Sequence, residues 1–294
     1  MWSHGEGGLT QILFNSSSGS QDAFNHAPFD ALAPTYDEDF TYSRIGRAQR
    51  EAISRELNRT FFPGQRVLEI NCGTGIDAVS LAARGVEVLA CDISPRMIEL
   101  ARRRAALARR ESGLSIPAEF RLLATEEIGR LRNEGLACGF DGAFSNFAGL
   151  NCVEDIGRTA RDLATLVKPR APALVCLFGC FCAWEILWYL AQADPTKAFR
   201  RLRREACSAE LAKGARVRVQ YPSIRKLASI FAPAFELKKW RGVGVMVPPT
   251  YLESLAARLP RFLETSAKLD RWLGAFPWSR SLADHVLLKF ERRA

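Results

Sequence analysis

Hydrophobic residues along the chain alternate between short unbroken runs and longer stretches in which they return every three or four positions. The short runs cover residues 67–70, 86–92, 118–123, 140–145, 173–178, 235–240 and 285–290. They have the length and apolar character of strands buried on both faces. Helical periodicity fills 43–58, the stretch after Ile76, a segment with an apolar face of Met97, Ile98, Ala101 and Ala105, and then 154–167, 183–192 and 222–231. Such alternation predicts an α/β fold, a mostly parallel sheet with helices on both faces.

Two stretches exceed a minimal alternation. Residues 180–222 contain an aromatic-rich helix and an arm at 216–221 that alternates like a strand, and residues 248–280 read as helical. Both are expected to be insertions that cap the sheet, within a single domain over 27–294 that follows a polar, mobile leader over 1–26. The apolar stretch 171–193 is long enough to span a bilayer. Glu185 interrupts it, however, and Gly179 divides it into a strand-like and a helix-like half. A buried strand followed by an amphipathic helix is therefore expected, with no stable membrane insertion.

Candidate chemistry concentrates where the first run, Val67-Leu-Glu-Ile, meets Asn71-Cys-Gly-Thr-Gly75. The glycines let a strand turn sharply into a helix whose first amides face a ligand. The second run ends on Asp92, about 20 residues beyond the loop, where a carboxylate can take both hydroxyls of a ribose. Dinucleotide loops usually read GxGxxG and wrap an anionic pyrophosphate. Here Glu69 ends the strand and no Lys or Arg lies between it and Ile76, which suits a ligand with a positive end.

These residues resemble the class I, Rossmann-like S-adenosylmethionine-dependent methyltransferases, with their E/DxGxGxG loop and ribose-binding acid, and the likeness continues through Asp92-Ile-Ser-Pro-Arg-Met97. Asn71 stands where that family most often has its first glycine; Asn tolerates positive φ, so the turn should survive. Ala27-Pro-Phe-Asp-Ala-Leu-Ala-Pro-Thr-Tyr-Asp37 resembles the FDxxAxxYD opening of many small-molecule methyltransferases, in which this segment closes over the cofactor and the tyrosine lines the site. The resemblance covers about residues 27–180 and is nearest the quinone-biosynthesis and natural-product enzymes.

It implies a seven-stranded sheet with the last strand antiparallel, and S-adenosylmethionine as cofactor. It also implies cofactor contacts from Tyr36, Glu69, Asn71, Cys72, Gly73, Thr74, Gly75, Asp92, Ile93 and Met97. Where relatives carry an Asp after the third strand, this chain has Ala124 and Thr125, with Glu126 or backbone groups as the substitute. After the fourth strand, Asn146 and Phe147 occupy the place of an amine-gripping motif in amino-methyltransferases.

For the acceptor, Asn151, Trp184, Trp188 and Tyr251 are expected to line an enclosed pocket roofed by 248–280, the alternative being that the aromatics are core. His285, at the start of the last strand, is the candidate general base. Its alternative is a histidine satisfied by a backbone group, and His26 is a second candidate. The expected function is methyl transfer to an O, N or C atom of a small apolar or aromatic metabolite.

Charge and cysteines refine this picture. The 41 Lys and Arg against 32 Asp and Glu give a formal charge of +9, largely from arginine runs at 102–104, 109–110 and 200–204. The first two runs lie on a helix and are expected to be solvated. The third leaves an RNA methyltransferase as a rival reading, although nucleic acid is disfavoured by the lack of an added RNA-binding module. A noncatalytic cofactor-binding protein is the second rival, motivated by Asn71 and the missing Asp. Eight cysteines without a CxxC pair suit a reducing compartment, no metal site is expected, and the opening lacks a basic-then-apolar export signal. A cytoplasmic location is expected; no pattern specifies an oligomer.

Overall fold

The computed structural model describes residues 28–203, 206–210 and 216–294. At its centre β1 (Arg66–Ile70) pairs in parallel with β2 (Glu87–Asp92) on one side and, on the other, with β4 (Gly142–Ser145). β3 (Ala118–Leu122) lies outside β2, and β5 (Pro172–Phe178) lies outside β4. The sheet closes with β9 (His285–Arg292), antiparallel to both β5 and β8 (Phe235–Val243). Its order is β3-β2-β1-β4-β5-β9-β8. Because both neighbours of β9 oppose it, β9 alone runs against the other six.

Alternation along the strands builds two core layers, as successive side chains point to opposite faces. On one face Leu68, Ile70, Val175 and Leu288 pack with Leu163 of α5 (Ile156–Leu166) and Phe231 of α8 (Ile224–Phe231). On the other, Val67, Val88 and Leu174 pack with Ile53 of α2 (Arg44–Thr60), Leu81 of α3 (Ile76–Ala82) and Ile98 of α4 (Pro95–Ser112). Local chemistry sets where these helices begin. Ser43, Ser94, Asp155 and Ser223 each accept a backbone N–H three residues on, the usual N-cap bond.

Before α2, residues 28–43 form short turns around α1 (Ala33–Tyr36) and a π-helical turn, Asp37–Thr41. The segment after β5 gives α6 (Ala183–Ala191), α7 (Pro195–Ala198) and a hairpin of β6 (Cys207–Glu210) with β7 (Arg216–Val219), apart from the main sheet. The segment after β8 gives α9 (Glu253–Arg258) and α10 (Pro260–Leu273). No helix among the described residues is long and apolar enough to cross a membrane.

Two details differ from the sequence pattern. The strand expected at 235–240 continues to Val243, because its partner β9 extends that far. A 3-10 run, Thr125–Glu134, stands where the pattern gave no element, and buries Ile128 and Leu131. The expected leader, with His26, lies outside the described residues.

The turn from β1 into α3 holds Asn71, Gly73 and Gly75 all at positive φ. At Gly75 a Cβ would stand 2.7 Å from Ala101 Cβ and 2.8 Å from Phe120 Cε1. Gly75→Ala is therefore expected to lower stability by roughly 1–3 kcal/mol, through left-handed strain and overpacking together. Urea denaturation checks this, and an unchanged midpoint would contradict it.

Candidate active site

The carboxyl ends of β1, β2, β4 and β5 and the start of β9 border a cavity of about 1350 Å³. Ligand pockets usually measure about 300–1,000 Å³, so this one has room for two small molecules. One end is formed around the β1 turn.

There Asp92 accepts hydrogen bonds from the N–H groups of Gly73, at 2.8 Å, and Ser94, at 2.9 Å. Burial raises its pKa even so, with the backbone donors opposing. Glu69 is buried, and its Oε2 has no hydrogen-bond partner among the described residues. Burial, then the charge of Asp77, pushes this carboxyl well above the usual range. A cationic ligand group beside it would favour the charged form. Glu69 borders a recess shared with Tyr36, Arg50, Gly73 and Asp77, and a Cβ built on Gly73 would meet nothing within 4 Å. The recess therefore has an acidic wall with open space beside the loop.

Asn71 does more than tolerate the turn. Its Nδ2 donates to Thr125 Oγ1 at 2.8 Å and its Oδ1 accepts from Ser145 Oγ at 3.1 Å, which ties together the segments that follow β1 and β3 and the last residue of β4. Gly149 is required beside it, since a Cβ there would stand 2.3 Å from Asn71 Cβ. The segment before α2 is strapped over this loop. Asp37 accepts from Thr74 Oγ1 at 2.8 Å and forms an ion pair with Arg104. Arg104 also donates from Nε to Thr74 O at 2.9 Å. Arg104 is thus no solvated member of its run, because its guanidinium bridges two structural segments.

The other end is organised by buried charge. His285 stacks on Phe178 with ring centres 4.6 Å apart and meets the ring of Phe147 edge-on at 5.7 Å. Its Nδ1 lies 3.2 Å from Asp284 Oδ2, at ion-pair distance but without hydrogen-bond geometry. Nε2 has no protein hydrogen bond among the described residues. Burial would raise Asp284, but the charges of His285 and Arg201 outweigh it and hold the carboxyl below its ordinary range. Arg201 reaches Asp284 Oδ1 at 2.7 Å and shares Glu185 Oε2 with Arg200, both at 2.8 Å. Arg200 and Arg201 are only 6% and 5% exposed. Instead of forming an external basic patch, these two arginines of the 200–204 run are internal counter-ions.

Of the residues singled out from the sequence, Tyr36, Asn71, Gly73, Asp92, Ile93 and Met97 line the cavity, as do Thr125, Glu126, Asn146 and Phe147. Glu69, Cys72 and Thr74 border the recess behind it. Gly75 shapes the turn, and Ala124 precedes the 3-10 run without lining the cavity. His285, Trp188 and Tyr251 line the far end. The Tyr251 hydroxyl is buried with no hydrogen-bond partner among the described residues.

Two acceptor candidates are corrected. Asn151 is fully buried, donating to Gln220 O at 2.6 Å and accepting from Phe178 N at 2.9 Å, so its polar atoms fasten the hairpin to β5. Trp184 packs edge-on against Phe262 within the cluster of α9 and α10, away from the cavity.

Sequence reading missed Asp284, Arg201 and Arg50. Arg50 pairs with Asp77 at 3.2 Å and lies 4.2 Å over the Phe147 ring. Its signal was a charge three residues before Ile53, on the inward stripe of α2. Asp284 and Arg201 gave no local signal, being 83 residues apart.

A lowered carboxyl stabilises the fold above its ordinary titration range, and that stability is lost as pH falls. Between about pH 5 and pH 2 the wild type is expected to lose more stability than Asp284→Asn. Urea midpoints across that range test it; parallel curves would contradict the ion pairing.

Residues 67–170 match the model of a family described as a methyltransferase domain. The demethylmenaquinone methyltransferase of Symbiobacterium thermophilum is 27% identical over 186 residues, which are 56% of this chain and 69% of that one. The magnesium-protoporphyrin O-methyltransferase of Rhodobacter capsulatus is 30% identical over 125 residues, 41% of this chain and 49% of that one. Across the first few curated relatives the chain spans from 33% to 69% of their lengths. A putative S-adenosylmethionine dependent methyltransferase from Listeria monocytogenes superimposes with a TM-score of 0.55 at 14% identity, over 83% of this chain and 99% of that one. The matched family model makes residues 67–170 a methyltransferase domain, and the glycine loop, the acid ending β2 and the single reversed strand stand as the resemblance to the class I, Rossmann-like S-adenosylmethionine-dependent methyltransferases implies.

Proposed function

We propose that this chain transfers the methyl group of S-adenosylmethionine to an oxygen, nitrogen or carbon of a small, apolar or aromatic acceptor, with a hydroxyl the favoured target. The observation that carries this is that a histidine beside a buried carboxylate borders the same cavity as the acidic glycine-loop recess. Relatives named demethylmenaquinone methyltransferase and magnesium-protoporphyrin O-methyltransferase support a ring-bearing acceptor.

The residues fit the cofactor: Glu69, whose Oε2 has no hydrogen-bond partner among the described residues, and the open space at Gly73 would hold its methionyl end, and Asp92 the ribose hydroxyls. Ile93 and Met97 offer an apolar wall to the base. Once bound, the cofactor supplies a methyl on cationic sulfur, an electrophile that needs no further activation.

The remaining catalysis falls to side chains. Phe147, Phe178, Trp188 and Tyr251 hold a flat acceptor away from water. His285 Nε2 takes the hydroxyl proton, and the ionised Asp284 stabilises the imidazolium, as the acid of a histidine dyad does. Arg201 keeps Asp284 charged. Alignment of two reactants in one cavity can contribute roughly 7–11 kcal/mol. The burial of Arg200 and Arg201 argues against a nucleic-acid acceptor, and eight free cysteines fit a reducing, cytoplasmic setting.

Asp92→Ala is expected to weaken S-adenosylmethionine binding by about 1–3 kcal/mol without unfolding the chain. Equal affinity in a titration would remove Asp92 from the site. For His285→Gln, transfer of labelled methyl to a phenolic acceptor is expected to fall roughly 10²–10⁴-fold with cofactor affinity preserved. Undiminished turnover at every pH would exclude the base role.

A further inference from the structure

The second insertion turns an apolar face outward. α10 buries Leu263, Ser266 and Asp270, and Asp270 fixes the helix by accepting the N–H groups of Gly244 at 2.8 Å and Val245 at 3.2 Å. With the inner face settled, helical spacing leaves Phe262, Leu269 and Trp272 along one exposed flank. Trp272 is 71% exposed, and just beyond the helix Trp278 is 68% exposed, with Phe276 stacked beside it. Arg261, Lys268 and Arg271 flank this stripe, and none has an ion-pair partner among the described residues.

The stripe continues onto α6. Phe262 touches Trp184, and Leu187, one turn further along α6, is 65% exposed. Trp188 beside it is both half-exposed and part of the cavity wall. Protein–protein interface cores are depleted in Lys, whereas helices lying in a bilayer interface join Trp, Phe and Leu with flanking Lys and Arg. The unpaired cations complement anionic headgroups.

We propose that the face formed by α10, residues 274–280 and the outer flank of α6 docks on an anionic lipid bilayer. Trp272, Trp278, Phe262 and Leu187 enter the headgroup region, while Arg261, Lys268 and Arg271 meet lipid phosphates. Docking stands on this surface alone. Its use, delivery of an apolar acceptor past Trp188 into the cavity, rests on the function proposed above.

The test is co-sedimentation of the full chain, without methyl donor, with phosphatidylcholine vesicles that contain or lack phosphatidylglycerol. Binding is expected only to the mixed vesicles, weakening at about 0.5 M salt. Arg261→Gln, Lys268→Gln and Arg271→Gln together should lower partitioning on the order of a hundredfold, about fivefold for each cation. Trp272→Ser with Trp278→Ser should lower it about tenfold or more. In the wild type, brominated lipid should quench tryptophan fluorescence, a readout that needs no mutation. Absence of binding to the mixed vesicles, or binding that both variants retain, would overturn the proposal. So would a dimer in sedimentation that Trp272→Ser with Trp278→Ser dissolves, since a second copy would then cover the face. S-adenosylmethionine titration of the same samples separates failure of docking from failure of the methyltransferase reading.

Discussion

A buried carboxylate must find positive partners, and in this chain that requirement fastens the cap to the sheet. Glu185 sits inside α6 with almost no exposure, held by Arg200 and Arg201 from the turn after α7. Arg201 passes the constraint on to Asp284, immediately before β9. Two carboxylates and two guanidiniums thus balance in charge. Removing one member of such a set leaves an uncompensated buried charge, commonly a loss of about 3–5 kcal/mol. Consequently α6, the post-α7 turn and the start of β9 cannot shift independently, and His285 is held against Phe178 at the cavity wall.

The opposite end of the cavity depends on backbone geometry more than on charge. Three positive-φ residues within five positions bring β1 abruptly into α3. The place of a glycine is taken by Asn71, whose side chain is then used to tie Thr125 and Ser145 together. Gly149 compensates across the gap, as no Cβ fits there beside Asn71. A departure from the common family pattern is therefore absorbed by a second residue far along the chain, and the loop keeps the shape that leaves Glu69 facing the recess.

Much of this was legible in sequence because the responsible forces are local. Unbroken apolar runs became the seven strands of the main sheet, and Ser43, Asp155 and Ser223 capped helices at or beside the starts the pattern placed. Glu69 and Asp92 were readable from their positions at strand ends. Long-range pairing was not readable. Glu185 registered only as an interruption in an apolar stretch, since its partners lie 15 and 16 residues away and the arginines looked like surface charge. Asn151 and Trp184 carried plausible chemistry for a pocket wall, but their direction was decided by tertiary packing, one toward the hairpin and one toward α10.

The cofactor assignment underlies every functional step, and calorimetric titration of the purified chain with S-adenosylmethionine, S-adenosylhomocysteine and NADH tests it most directly. Saturable binding of the first two, with no heat from NADH, is the expected result, because the recess presents Glu69 to the loop-bound end of the ligand while its one cation, Arg50, is paired with Asp77. Binding of NADH in preference, or of none of the three, would contradict a methyltransferase site.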